Sequence, residues 1–154
     1  MLKIVSGGQT GVDRGALDAA IQCNIPCGGW CPEGRKAEDG VIPDIYPVVE
    51  LPGGGYPERT LKNVLDSDGT VIIYFGTTSG GTELTLDYCR DNNKPCLLID
   101  ASNISPKTAA QQITEFIKTL PGETLNCAGP RHSNNKKGYE YTLQTVTDFI
   151  VSYK

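Results

Sequence analysis

Short apolar segments alternate with amphipathic helical segments along this chain, and this alternation constrains the fold more than any other feature. Residues 70–75 (TVIIYF) form the clearest strand. A near-continuous apolar run of this kind is typical of a parallel strand covered on both faces. Strands that alternate with helices require a parallel sheet with right-handed crossovers. The sequence therefore predicts a three-layer, doubly wound, Rossmann-like α/β fold with a mainly parallel sheet.

The predicted elements follow one another without a linker, a repeat or a shift in composition, so one domain over residues 1–154 is expected. The predicted strands are Leu2–Val5, Cys27–Trp30, Ile45–Leu51 (weakened by Pro47), Thr70–Phe75, Cys96–Ile99 (buried) and Thr124–Ala128. Five helices are predicted. The first is Val12–Cys23, and the second is opened by Pro57 and has Leu61, Val64 and Leu65 facing inward. The third is Thr82–Asn92, the fourth is capped by Ser105 and opened by Pro106, and the last runs from Tyr139 to Tyr153.

Composition narrows the classes of partner. The net charge of −4 and the pI near 4.9 argue against a nucleic-acid-binding protein with a broad basic surface. A small anionic ligand is compatible with this charge, because oriented backbone N–H groups bind anions. Without a signal peptide or a long apolar run, we expect a cytoplasmic protein that does not contact membranes. The six cysteines lack a C-x-x-C pair, so reduced structural thiols and no metal site are expected.

Two glycine-rich loops each join a predicted strand to a predicted helix. Parallel strands end at one edge of the sheet, where ligands bind, and helix N-termini attract anions. The candidate ligand-binding residues are Gly7, Gly8, Gln9, Thr10 and Gly11 in the first loop and Ser79, Gly80, Gly81 and Thr82 in the second. Each loop also has a structural interpretation. The first is then a tight turn, and the second caps its helix through a hydroxyl of Ser79 or Thr82.

Ionisable and aromatic residues near these loops extend the candidate site. Arg131 follows a Gly-Pro turn after the last strand, and its planar fork suits an oxyanion. Arg14 is a second candidate, although it can instead pair with Asp18 on the same helix. Asp13 and Glu83 are the candidate acid–base residues. The candidate pocket-lining residues are Trp30, Arg35 and Lys36; the alternative is a core tryptophan with solvated charges.

Six motifs occur in order along nearly the whole chain. They are Ser6–Arg14 (SGGQTGVDR), Gly28–Arg35 (GGWCPEGR), Ala37–Gly40 (AEDG), Asn63–Thr70 (NVLDSDGT), Gly80–Thr82 (GGT) and Asn126–Arg131 (NCAGPR). This set resembles the family of putative molybdenum carrier proteins. That family is the circularly permuted branch of the SLOG (SMF/lysine-decarboxylase-like) Rossmann superfamily. The resemblance covers residues 4 to about 150.

The resemblance implies a nucleotide-like Rossmann pocket that binds molybdenum cofactor or molybdate as cargo, in a homo-oligomer of two or four chains. Related phosphoribohydrolases carry the motif P-G-G-x-G-T-x-x-E with a catalytic glutamate. Here Thr85 stands at the position of that glutamate, and Glu83 comes two residues too early. Binding is therefore favoured over catalysis. The alternatives are a nucleotide-processing hydrolase and a nucleotide sensor.

Overall fold

Short strands and longer helices alternate along residues 1–154 in the computed structural model. In chain order, the strands are β1 (Lys3–Val5), β2 (Cys27–Gly28), β3 (Trp30–Pro32), β4 (Lys36–Ala37), β5 (Gly40–Val41), β6 (Val49–Leu51), β7 (Gly69–Tyr74), β8 (Cys96–Asp100) and β9 (Thr124–Ala128). The helices are α1 (Val12–Gln22), α2 (Tyr56–Leu65), α3 (Gly80–Asp91), α4 (Pro106–Ile117) and α5 (Gly138–Tyr153).

Five strands form the central sheet in the order β2-β1-β9-β7-β8, and every pair is parallel. Helices α1, α4 and α5 pack together, and α2 packs against α3. The side chains of β7 alternate between the two faces, since Val71 and Ile73 join the main core whereas Ile72 is buried outside it. These observations confirm the predicted Rossmann-like α/β fold. No helix is both long and apolar enough to cross a membrane.

The predicted strand Cys27–Trp30 is wrong, because the chain leaves the central sheet in its middle. Gly29 has φ +128°, and a Cβ there would lie 2.2 Å from the carbonyl oxygen of Ser6. Only glycine fits such a close approach. Beyond it, β3 pairs with β6 in a separate two-stranded parallel sheet, and β4 pairs with β5 in an antiparallel hairpin. The predicted strand Ile45–Leu51 is correspondingly shortened to Val49–Leu51.

Two predictions of burial are also wrong. Leu65 was expected to face inward, but it lies at the end of α2 and is 40% exposed. Leu98 was expected inside a buried strand, but it is 39% exposed because β8 is an edge strand that its neighbours leave partly uncovered. The predicted cap of α4 is confirmed, since the Ser105 hydroxyl accepts a hydrogen bond from the Thr108 backbone N–H.

Residues 35–48 are held together by the guanidinium of Arg35. Its Nε donates to the carbonyl of Ile42 at 3.1 Å, and Nη1 donates to that of Val48 at 2.8 Å. Its Nη2 donates to the carbonyls of Pro43 at 3.0 Å and Tyr46 at 3.1 Å. A planar fork with several donors can serve four carbonyls at once. Arg35 is therefore a structural residue of this segment.

We expect Arg35→Lys to lower the free energy of unfolding by about 2 kcal/mol, because an ammonium cannot reach four carbonyls spread around a planar fork. Urea denaturation of the purified variant measures the change. The neighbouring exposed cation is the matched control, and Lys36→Met should alter stability by less than about 0.5 kcal/mol. Equal stability of the two variants would contradict the structural role of Arg35.

A second prediction concerns Gly11, where the loop after β1 touches the loop after β9. Gly11 has φ +84°, and a Cβ there would lie 2.5 Å from the carbonyl oxygen of Pro130. Gly11→Ala should therefore lower the free energy of unfolding by about 3 kcal/mol or more, because it combines backbone strain with a steric clash. Gly53 has a similar φ of +72° in open space, so Gly53→Ala should show the strain alone, about 1 kcal/mol. Urea denaturation of both variants compares the two losses.

Candidate functional site

A cavity of about 460 Å³ opens at the carboxyl ends of β7 and β9, between the first turns of α2 and α3. Its volume is within the range of small-molecule sites. The lining residues are Gln9, Asp13, Tyr56, Pro57, Arg59, Thr60, Tyr74, Phe75, Thr77, Ser79, Gly81, Thr82, Leu84, Thr85, Ala128, Gly129, Pro130, Arg131, Asn134 and Asn135. The cavity thus lies at the sheet edge where ligands of this fold class bind.

Part of the predicted site lines this cavity, and part lies elsewhere. Within the cavity wall are Gln9, Asp13, Ser79, Gly81, Thr82 and Arg131. Outside it are Gly7, Gly8, Thr10, Gly11, Arg14, Trp30, Arg35, Lys36, Gly80 and Glu83. The prediction missed Tyr56, Arg59 and Thr60 on α2. No signal in the sequence pointed to them, because α2 follows a strand of the separate small sheet and not a strand of the central sheet.

The first glycine-rich loop is closely packed, and several of its N–H groups are bonded internally. The Gln9 N–H donates to the Asp13 carboxylate at 3.2 Å, and the Thr10 N–H donates to the Gln9 side-chain oxygen at 3.0 Å. The Val12 N–H donates to the carbonyl of Pro130 at 3.3 Å. These bonds match the structural interpretation of the loop, a tight turn. The N–H groups of Gly7, Gly8 and Gly11 have no acceptor within the chain, but a Cβ on any of these glycines would lie against protein atoms.

The second glycine-rich loop is open. The N–H groups of Gly80 and Gly81 have no acceptor within the chain, and a Cβ built on either glycine would meet nothing within 4 Å. The expected hydroxyl cap is absent, since the Ser79 side chain makes no capping hydrogen bond. Unsatisfied N–H groups at a helix N-terminus carry partial positive charge. The first turn of α3 therefore presents anion-binding groups beside the cavity.

Two arginines and one aspartate set the charge of the cavity. Arg59 has a side chain only 12% exposed, and its Nη1 lies 3.7 Å from the Asp13 carboxylate. Its Nε is buried without a partner. Arg59 and Arg131 both approach the ring of Tyr56, at 5.7 and 6.0 Å from the centroid. Because Asp13 is the single lining carboxylate, the cavity is net positive in an acidic protein.

Burial raises the pKa of Asp13, and this effect outweighs the opposing attraction of Arg59 and the hydrogen bond from the Gln9 N–H. The carboxylate is almost fully enclosed. A buried carboxylate is costly unless it is paired and hydrogen-bonded. The Gln9 N–H and the Arg59 guanidinium both stabilise the charged form of Asp13 against this burial.

Glu38, at the tip of the β4–β5 hairpin, ties the cavity rim together. Its carboxylate accepts hydrogen bonds from the Thr10 hydroxyl at 2.6 Å and from the Ser133 N–H at 3.0 Å and hydroxyl at 2.6 Å. Its distance to Arg131 Nε is 4.0 Å. Desolvation tends to raise the pKa of Glu38, but the hydrogen bonds from Ser133 and Thr10 outweigh this effect and hold the pKa below its usual value. The hydroxyl of Thr10 is therefore occupied at the rim.

Two further candidates, Arg14 and Trp30, have structural partners, whereas Lys36 is exposed. Arg14 donates to both carboxylate oxygens of Asp39, at 2.5 and 2.8 Å, so the expected pair with Asp18 is wrong. Asp18 instead accepts a hydrogen bond from the Tyr139 hydroxyl. The Trp30 indole donates to Asp66 at 2.8 Å under the ammonium of Lys62. These contacts hold Arg14 and Trp30 away from the cavity.

Acid–base and metal-binding groups are sparse around the cavity. Glu83 is exposed and accepts a hydrogen bond from the Thr78 hydroxyl, whereas Thr85 lines the cavity and donates to the carbonyl of Gly81 at 2.9 Å. No group of three or more His, Cys, Asp or Glu side chains is placed to hold a metal ion. Cys31 is fully buried in the small core beside α1 and outside the cavity.

Comparisons with known proteins agree with this architecture. Residues 4–150 match the model of the circularly permutated YpsA SLOG family. The crystal structure of a protein titled "Putative molybdenum carrier protein", from Syntrophus aciditrophicus SB at 1.45 Å resolution, is similar with a TM-score of 0.93. It is 46% identical, and the match covers 97% of this chain and 95% of that chain. No curated protein matches. The chain belongs to the circularly permutated YpsA SLOG family.

Proposed function

We propose that this protein binds a small oxyanion as cargo in the cavity between α2 and α3, either molybdate or the phosphate-bearing molybdenum cofactor. The observation that carries the proposal is the open N-terminus of α3. Gly80 and Gly81 keep two N–H groups free, and no side chain crowds them. Free N–H groups and the helix dipole together bind anions at such sites.

The charged side chains around the cavity support the same ligand class. Arg59 and Arg131 supply planar donor forks that suit phosphate or molybdate oxygens. The Arg59 side chain lines the cavity, and its buried Nε has no partner in the chain. The one lining carboxylate, Asp13, is already engaged by the Gln9 N–H and faces Arg59. An oxyanion would therefore meet donors on several sides.

The assignment of molybdenum cargo draws on the relative named a putative molybdenum carrier protein. The donor set suits a cargo held through its oxygen atoms, because the cavity has no cluster of metal-ligating side chains. The partly exposed ring of Tyr56 in the cavity wall offers an aromatic surface for a pterin. Assembly into dimers or tetramers and a cytoplasmic location stay predictions.

Gly81→Asp should weaken binding of molybdate and of adenosine 5′-monophosphate about tenfold or more. A carboxylate about 4 Å from a bound anion near a protein surface repels it by several kcal/mol before screening. The fold should be unaffected, because an acidic residue in the first helical turn is favourable. Isothermal titration calorimetry measures the affinities, and urea denaturation checks stability.

The matched control is Gly81→Ala, which adds a methyl group in open space without charge and should keep the affinity within about threefold of wild type. If Gly81→Asp binds molybdate as tightly as Gly81→Ala, the N-terminus of α3 is not the anion site.

Native mass spectrometry with metal analysis of freshly purified protein tests the cargo itself. A retained nucleotide without molybdenum or pterin would count against the carrier function.

A nucleotide-processing hydrolase is the second candidate, and the buried Asp13 in the cavity wall favours it, since its raised pKa suits an acid–base group. We expect no sustained release of free base when wild-type protein is incubated with nucleoside monophosphates. The reason is that the Asp13 carboxylate already accepts the Gln9 N–H and faces Arg59, while Glu83 lies outside the cavity wall. Chromatography of the incubation mixture detects free base. Turnover that Asp13→Asn or Glu83→Gln abolishes would replace the carrier proposal with an enzymatic one.

A further inference from the structure

We infer that Gln9 is a specificity-determining donor of this cavity, and that it selects ligands presenting an oxygen acceptor on a flat ring. The inference rests on the proposed function, because it concerns the same cavity. It adds a second contact, separate from the oxyanion contact at α3, and so narrows the substrate class to ring-bearing phosphates with an oxo group.

The side-chain amide of Gln9 has one orientation. Its Oε1 accepts a hydrogen bond from the Thr10 N–H at 3.0 Å and another from the Glu38 N–H at 2.9 Å. The flipped amide would place an NH₂ group against two N–H donors, which is repulsive. The hairpin tip and the loop after β1 together hold the oxygen, so the NH₂ group must point the other way.

The NH₂ group of Gln9 has no partner in the chain. Gln9 is only 7% exposed, yet its Nε2 is not sealed off from solvent and the residue lines the cavity. Nearly all of the residue is therefore buried in the cavity wall, and its two amide N–H donors have no partner in the chain. An amide donor inside a binding cavity rejects ligands that offer it a second donor, since both groups are then left unpaired.

Gln9 and Arg59 both adjoin Asp13, on the floor of the cavity. The Gln9 backbone N–H donates to the Asp13 carboxylate, and the Arg59 guanidinium lies 3.7 Å from the same carboxylate. The N-terminus of α3 belongs to a different wall. A ligand that fills both places carries an oxyanion at one end and an oxo acceptor at the other. A phosphorylated heterocycle with a ring carbonyl has this chemistry.

Inosine and adenosine 5′-monophosphates test the inference, because they share the phosphate and the ribose and differ only at the C6–N1 edge of the purine. Inosine presents a carbonyl oxygen at C6 beside an N–H at N1, and adenosine presents an amino group at C6 beside an acceptor nitrogen at N1. We expect wild-type protein to bind the inosine nucleotide at least tenfold more tightly, as measured by isothermal titration calorimetry. In Gln9→Glu, one carboxylate oxygen can keep both backbone bonds while the other replaces the donor with an acceptor. That variant should lose or reverse the preference.

The outcomes separate this inference from the proposed function. Equal binding of the two nucleotides to wild-type protein overturns the role of Gln9, even if Gly81→Asp shows that the anion site is real. Binding of molybdate without either nucleotide also overturns it and leaves oxyanion binding intact. If none of the three probes binds, both proposals fail. Gln9→Glu should lower the free energy of unfolding, because it places a second carboxylate beside the buried Asp13. Urea denaturation checks that the variant is folded, and the wild-type comparison decides the question if it is not.

Discussion

The buried carboxylate of Asp13 is the interaction on which the candidate site depends. It lies in the first turn of α1, is almost fully enclosed, and accepts the Gln9 N–H while facing Arg59 of α2. Such a carboxylate cannot be buried without partners. Because Asp13 bonds the loop after β1 and also faces Arg59, it connects that loop to α2, which is remote in sequence. The same pairing brings the Arg59 guanidinium to the edge of the cavity.

The two glycine-rich loops have similar compositions and opposite roles. In the first, Gly7 makes room for the Arg59 side chain, since a Cβ there would lie 2.2 Å from Nη1, and Gly11 makes room for the loop after β9. These glycines allow close packing of protein against protein. In the second, Gly80 and Gly81 face open space. Their missing side chains leave backbone N–H groups accessible, which is the property that an anion site requires.

The excursion between β2 and α2 supports the rim of the cavity from outside. Arg35 fixes its internal shape. At the hairpin tip, Glu38 bonds the loops that follow β1 and β9, and Asp39 pairs with Arg14 of α1. Glu38 bonds both Thr10 and Ser133, and its backbone N–H fixes the amide of Gln9. Residues outside the cavity wall therefore determine which groups of the loops beside it are already bonded.

Local patterns along the sequence determined the α/β class, the main strands and helices, and the two glycine-rich loops. They do so because apolar periodicity, Pro at a first turn and Ser at an N-cap act within a few residues, as in β9 and α4. Only the tertiary structure decided that the loop before α1 is closely packed while the start of α3 is open. It also decided that Arg35 and Trp30 have structural partners and that Arg59 lines the cavity. An N–H group is free only if no distant acceptor reaches it. The carbonyl of Pro130, which accepts from the Val12 N–H, and the carboxylate of Glu38, which accepts from the Ser133 N–H, are such acceptors. Both are far away in the chain from the groups they bond and are brought close by the packing of the fold.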